Sequence, residues 1–114
     1  LDFYFDKEAK NNLKFANTSV RIAMDSQYHI IVQGKVQGVF FRDFTQRKAN
    51  ALGLLGTVRN KTDGSVEIFA AGDKAVLKEF EKWCWQGSPY SNVTAVKVQK
   101  VLKSKEYFDF RVVY

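Results

Sequence analysis

One stretch constrains the fold of this chain more than any other: Gly34-Lys35-Val36-Gln37-Gly38-Val39-Phe40-Phe41-Arg42. The residues before it, 28–33, are rich in β-branched and aromatic side chains, which is typical of a buried strand. The residues after it, 43–52, carry apolar or small side chains at helical spacing, with polar residues between them. A strand, a loop with two glycines and the start of a helix are therefore predicted to meet at this point.

The chemistry of this stretch predicts an anion-binding loop. Glycine accepts backbone conformations closed to other residues, so successive N–H groups can point into one hollow. The start of the helix adds unpaired N–H donors and the positive end of the helix dipole. Arg42 adds a planar guanidinium suited to phosphate or carboxylate. These residues alone favour a phosphate cradle, although an ordinary turn with a solvated arginine stays open as the alternative.

Further motifs follow this loop in order. They are Gly56-Thr57-Val58-Arg59-Asn60, Asp63-Gly64-Ser65-Val66-Glu67, and later Gly87-Ser88-Pro89, Val93 and Phe110. Together with the loop, this series resembles the acylphosphatase family, from about Tyr28 to the end of the chain. Phe40 occupies a position where many relatives carry glycine, but phenylalanine also occurs there in the family.

The resemblance implies an enzyme that hydrolyses acyl phosphates to a carboxylate and inorganic phosphate, with neither a metal nor an organic cofactor. It implies that Arg42 binds the substrate and stabilises its charge, and that Asn60 orients the attacking water. We expect backbone N–H groups of the loop and the Arg42 guanidinium to hold the phosphoryl oxygens. The predicted phosphate-binding residues are Gln37, Gly38, Val39, Phe40, Phe41 and Arg42.

Periodicity and turn signals predict the order β-α-β-β-α-β with one added strand at the C-terminal end. This order is typical of a two-layer α+β sandwich, with two helices on one face of an antiparallel sheet. The resemblance implies the same ferredoxin-like architecture. The predicted strands are 28–36, 55–59, 65–71, 93–102 and 108–113. The first predicted helix is 41–51, and the second is capped by Asp73 and stopped by Gly87 and Pro89. The pattern leaves open which sheet edge receives the last strand.

Composition limits the partners. The net charge of +6 favours anionic ligands, either a phosphorylated metabolite or a nucleic acid. The single cysteine excludes an intrachain disulfide, and with one histidine it argues against a conventional zinc site. No apolar run is long enough to cross a membrane. We therefore expect a cytoplasmic monomer whose partners are a small acyl phosphate and inorganic phosphate, as product or inhibitor.

The chain is predicted to contain one domain, 24–114, preceded by an extension, 1–23. Met24 is the only methionine, and it stands directly ahead of the first predicted strand. The extension is interpreted either as a segment foreign to the domain or as a functional arm, since Phe3, Tyr4 and Phe5 could dock on a neighbouring surface.

Two other function classes stay open. RNA-recognition modules share this element order, but they stack bases on several aromatic residues of the third strand. The segment 65–71 has only Phe69, so we expect no nucleic-acid partner. The domain could also bind an acyl phosphate without hydrolysing it, as part of a larger assembly.

The remaining reactive side chains are interpreted as structural. His29 lies within the first strand, and Cys84 lies on the apolar side of the second helix. Strand alternation turns Arg59 to the face opposite Asn60. Phe40 and Phe41 are candidates to border an aromatic acyl group, although Phe41 fits the core equally well.

Overall fold

The computed structural model describes residues 26–101 and 105–114. These residues contain five strands and two helices in the predicted order: β1 (Ser26–Lys35), α1 (Phe41–Ala51), β2 (Leu55–Asn60), β3 (Val66–Gly72), α2 (Lys74–Gln86), β4 (Asn92–Lys100) and β5 (Phe110–Val112). The last strand is shorter than predicted, and β4 ends two residues earlier than predicted. The prediction for 1–23 falls outside the described residues.

The strands form one sheet in the order β4-β1-β3-β2-β5. β1 pairs antiparallel with β3 and β4, and β2 pairs antiparallel with β3. The prediction of an entirely antiparallel sheet is wrong at one edge, where β5 runs parallel to β2. The reason is topological: β2 runs opposite to β4, and the chain reverses direction after β4, so β5 runs the same way as β2.

Both helices pack on one face of this sheet, and the core lies between the two layers. The strands contribute alternate residues that are almost fully buried, among them Ile30, Val32, Val58 and Ile68. Complete burial of such a side chain contributes about 1.5–3 kcal/mol, so this layer supplies much of the stability. The two-layer ferredoxin-like prediction is confirmed.

The buried stripe of each helix follows helical spacing. In α2 it comprises Leu77, Phe80 and Cys84, and Asp73 caps the helix by accepting hydrogen bonds from two backbone N–H groups. In α1 the stripe comprises Phe41, Thr45 and Ala49. Thr45 is tolerated in the core because its hydroxyl donates to the carbonyl oxygen of Phe41 at 2.7 Å.

The C-terminal ends of β1 and β2 lie at the same end of the sheet, because both strands run antiparallel to β3. They are not neighbours, however, since β3 lies between them. The amide of Gln37 crosses this gap, donating to the carbonyl oxygens of Lys61 at 2.8 Å and Ser65 at 2.9 Å. The loop after β1 is thereby held against the β2–β3 turn. Among the described residues, no helix is long and apolar enough to span a membrane.

Candidate active site

A cavity of about 480 Å³ opens where the loop after β1 meets the start of α1. Its walls come from the loop, from α1, from the end of β2 and from the C-terminal strand. The lining residues are Val36, Gly38, Phe40, Phe41, Arg42, Asp43, Gln46, Asn60, Val112 and Tyr114. The fold therefore brings Arg42 and Asn60, which are 18 positions apart in the sequence, to one cavity.

The backbone of the loop curls towards this cavity. Gly38 has a φ of 74° and Phe40 has a φ of 61°, the only positive φ of a non-glycine residue in the described ranges. Left-handed residues spaced along a loop curve the backbone so that neighbouring N–H groups converge. For a phenylalanine this conformation costs about 1–2 kcal/mol, because its Cβ approaches the following carbonyl.

The first turn of α1 begins without a side-chain cap. Phe40 is the N-cap residue and makes no side-chain hydrogen bond to the helix. The N–H groups that a serine or aspartate cap would satisfy are thus free for an anion, which the helix dipole also favours. By contrast, the Asp73 carboxylate caps α2.

Two side chains tie the loop to the rest of the domain. Gln37 reaches the β2–β3 turn, as described above, and the buried hydroxyl of Ser88 donates to the carbonyl oxygen of Val39 at 2.8 Å. Gln37 and Val39 do not line the cavity, and the Val39 side chain is 6% exposed. Of the six predicted phosphate-binding residues, the other four line it. Sequence reasoning gave no role to Ser88, although Gly87-Ser88-Pro89 was among the recognised motifs.

Arg42 is the cation of the cavity. Its guanidinium lies over the ring of Tyr114, 5.0 Å from the ring centroid. The neighbouring Asp43 pairs instead with Arg47, one turn along α1, at 2.9 Å. Within the described part of the chain, no carboxylate lies within ion-pair distance of Arg42, so its charge is available to a ligand.

Asn60 ends β2 and supplies the neutral polar group of the cavity. Its side-chain oxygen Oδ1 is buried and accepts no hydrogen bond from the described residues. Leaving such an acceptor unpaired costs about 1–3 kcal/mol, and an unpaired buried group of this kind often marks a functional position.

The opposite face of the sheet carries a second polar cluster. Glu67 accepts a hydrogen bond from Arg59 Nε at 2.7 Å, and its other carboxylate oxygen lies 2.8 Å from His29 Nε2. Burial by itself would raise the pKa of Glu67, but the hydrogen bonds from Arg59 and His29 outweigh it and lower the pKa. Arg59 thus faces away from the cavity, as alternation predicted.

The surroundings of His29 and Cys84 agree with the structural roles predicted for both residues. The His29 ring stacks on Phe69 at 4.5 Å, remote from the cavity lining. Cys84 is fully buried, and burial strongly raises the pKa of its thiol, so it is unsuited to act as a nucleophile. The described residues contain no cluster of three or more histidine, cysteine or acidic side chains able to hold a metal ion.

The fold defines the class: a ferredoxin-like α+β domain, with a cavity-lining loop at the uncapped start of its first helix. The family model described as acylphosphatase matches residues 28–112. An acylphosphatase from Pelotomaculum thermopropionicum is 42% identical over 86 residues, covering 75% of this chain and 94% of the relative.

Solved structures similar to this chain are also acylphosphatases. The crystal structure of acylphosphatase from Bacillus subtilis matches with a TM-score of 0.76 and 43% identity, over 78% of this chain and 99% of that one. An acylphosphatase from Coxiella burnetii matches with a TM-score of 0.78 and 36% identity, over 84% and 99%. The chain belongs to the acylphosphatase family, whose members hydrolyse acyl phosphates.

Proposed function

We propose that acyl phosphate hydrolysis takes place in the cavity at the start of α1, with the roles of Arg42 and Asn60 that the family resemblance implies. The proposal rests on one observation: a guanidinium without a carboxylate partner, an uncapped helix start and an amide oxygen without a hydrogen bond, as far as residues 26–101 and 105–114 show, all border one cavity. Backbone N–H groups of the four predicted residues that line the cavity, Gly38, Phe40, Phe41 and Arg42, bind the phosphoryl oxygens together with the Arg42 guanidinium. This arrangement needs no metal, because the donors themselves balance the charge.

The departure of the leaving group from an acyl phosphate requires little catalysis. An acyl phosphate is a mixed anhydride that releases a carboxylate, and the conjugate acid has a pKa of about 4. Such a group departs unprotonated, so no strong general acid is required. The remaining tasks are to hold the phosphoryl group, to balance its developing charge and to aim a water molecule at phosphorus.

Asn60 performs the last of these tasks. Its amide oxygen accepts a hydrogen bond from the attacking water and fixes the water's direction of approach. An amide is not a useful base, so the substrate's own phosphate takes the proton of the water. A pH–rate profile that required an ionised enzyme base near neutrality would contradict this step.

The rim of the cavity faces the acyl group. Phe40 is 70% exposed there, whereas Phe41 is 1% exposed and belongs to the core. The exposed Phe40 ring is the better placed of the two to contact an aromatic acyl group. The proposed enzyme is a cytoplasmic monomer, and its catalytic domain is 24–114. Inorganic phosphate, the product, is expected to inhibit it.

The test is steady-state hydrolysis of benzoyl phosphate without added metal, comparing the unaltered protein with Arg42→Ala and Asn60→Ala. Lys48→Ala is the matched control, since Lys48 is also a cation of α1 but does not line the cavity. Turnover that collapses in the first two variants and persists in the third supports the proposal. Phosphate binding without turnover would favour a sensing or carrier domain. Loss of neither activity nor phosphate affinity in Arg42→Ala would overturn the assignment.

Partners and state are tested separately. Size-exclusion chromatography with light scattering measures the molar mass of the protein and hence its oligomeric state. An RNA gel shift at low salt tests the nucleic-acid alternative, because such binding is strongest at low ionic strength. A shift that weakens steeply with added salt would revive that alternative, whereas no shift would remove it.

A further inference from the structure

The turn after α2 contacts the anion-binding loop from beneath. Ser88 is 3% exposed, and its hydroxyl donates to the carbonyl oxygen of Val39, a residue 49 positions earlier in the chain. Gly87, which ends α2, has a φ of 70°, and a Cβ built on it would lie 3.1 Å from Cε2 of Phe41. The chain around Ser88 is thus closely packed against the start of α1.

The hydrogen bond to Val39 fixes the orientation of the following N–H group. In a planar trans peptide the carbonyl and the N–H point in opposite directions. The Val39 oxygen is directed to Ser88, which does not line the cavity, so the N–H of Phe40 points away from Ser88; Phe40 itself does line the cavity. Holding the oxygen therefore aims a donor at the anion.

The same peptide bears the strain of the loop. Rotating the peptide between Val39 and Phe40 by half a turn would carry the φ of Phe40 from 61° into the negative range that phenylalanine prefers. Such a rotation would also turn the Phe40 N–H away from the cavity. Backbone preference at Phe40 thus works against the anion-binding orientation, and the Ser88 hydroxyl works for it.

We propose that Ser88 is a positioning residue, which holds the peptide between Val39 and Phe40 in its strained, anion-binding orientation. The inference rests on the proposed function of the loop as a phosphoryl cradle. It assigns Ser88 no contact with the substrate. It also links Ser88 to the residue at position 40: a glycine there would bear a positive φ at little cost and would need the hydrogen bond less.

The first experiment measures the dissociation constant of inorganic phosphate by calorimetry, and kcat and KM for benzoyl phosphate, in Ser88→Ala. Loss of one such hydrogen bond is expected to weaken phosphate binding about tenfold. Ser91→Ala is the matched control. Its hydroxyl donates to the Ser88 carbonyl, which still accepts from the Ser91 backbone N–H at 3.0 Å, so phosphate affinity should stay within about twofold.

The decisive experiment is rescue by Phe40→Gly. In the Phe40→Gly background, adding Ser88→Ala should weaken phosphate binding by no more than about twofold, because glycine removes the preference for the rotated peptide. An equal loss in both backgrounds would show that Ser88 merely supports packing and would overturn the proposal. Unchanged affinity in Ser88→Ala would overturn it as well.

Two further outcomes are informative. If Ser88→Ala does not fold, Ser88→Cys keeps a side chain that can donate, although the thiol is larger and a weaker donor, and it should show an intermediate loss of phosphate affinity; full affinity in that variant would contradict the proposal. If the unaltered protein neither binds phosphate nor hydrolyses benzoyl phosphate, the proposed function fails first and this inference with it. An active protein with unaffected Ser88 variants overturns the inference alone.

Discussion

Arg59 and Asn60 are consecutive residues of β2, yet they serve two polar groups that differ in kind. Arg59 joins the cluster with Glu67 and His29 on the face opposite the helices, where each charged group has a partner. Asn60 lines the cavity with Arg42, where the guanidinium has no carboxylate partner among the described residues and the amide oxygen is unpaired. The difference separates a structural cluster from a candidate site, because only unsatisfied groups can bind a ligand without first losing a partner.

Arg42→Ala should have the largest effect on function. It removes the guanidinium that lines the cavity, and loss of a comparable transition-state donor costs about 10²–10³ in rate. We expect kcat/KM for benzoyl phosphate to fall by about that factor. Arg59→Ala, the matched change in the other cluster, should leave kcat/KM nearly unchanged, since Arg59 pairs with Glu67 and does not line the cavity. Equal losses in both variants would break the comparison.

Asn60→Ala should be next in size and should act on a different parameter. Because Asn60 is assigned to the water and not to the phosphoryl group, kcat should fall by about 10² while the dissociation constant of phosphate changes little. Steady-state kinetics and phosphate calorimetry on the same preparation separate the two quantities. A variant that lost phosphate affinity and kept its kcat would refute the assignment to the water.

Glu67→Gln should reduce stability and leave activity nearly unchanged. Glu67 is 8% exposed and accepts from Arg59 and His29, so the free energy of unfolding at pH 7 should fall by about 1–3 kcal/mol. Folding lowers the pKa of Glu67. The ionised carboxylate therefore contributes this stability at pH values above its unfolded pKa of about 4.3. The contribution is lost as the pH falls through the pKa of the folded state. Urea titrations from pH 7 to pH 3 should show the difference between the two proteins narrowing in acid. A constant difference would argue against the ionised carboxylate as its cause.

Phe40→Gly should have the smallest effect on stability. Glycine removes the cost of the left-handed conformation, but it loses more backbone entropy on folding, by about 0.5–1 kcal/mol. The net result should be a stabilisation of at most about 1.5 kcal/mol, measured by urea unfolding at pH 7. A clear destabilisation would show that the exposed Phe40 ring contributes contacts that outweigh its backbone strain.

The sequence by itself determined the order of the elements, the two-layer architecture and the chemistry of the loop. These follow from local physics: the spacing of apolar residues in α2, the Asp73 cap, and the Asp-Gly turn between β2 and β3 all act within a few residues. Arg42 and Asn60 were also singled out together, because both belong to the motifs that carry the resemblance to the acylphosphatase family, and both line one cavity.

Only the tertiary structure decided how the loop is held. Gln37 crosses to the β2–β3 turn, and Ser88 reaches Val39 across 49 positions of sequence. Neither contact leaves a local pattern, since each depends on how distant segments pack. The parallel pairing of β5 and the positive φ of Phe40 likewise depend on the course of the chain through the fold, which no local sequence pattern records.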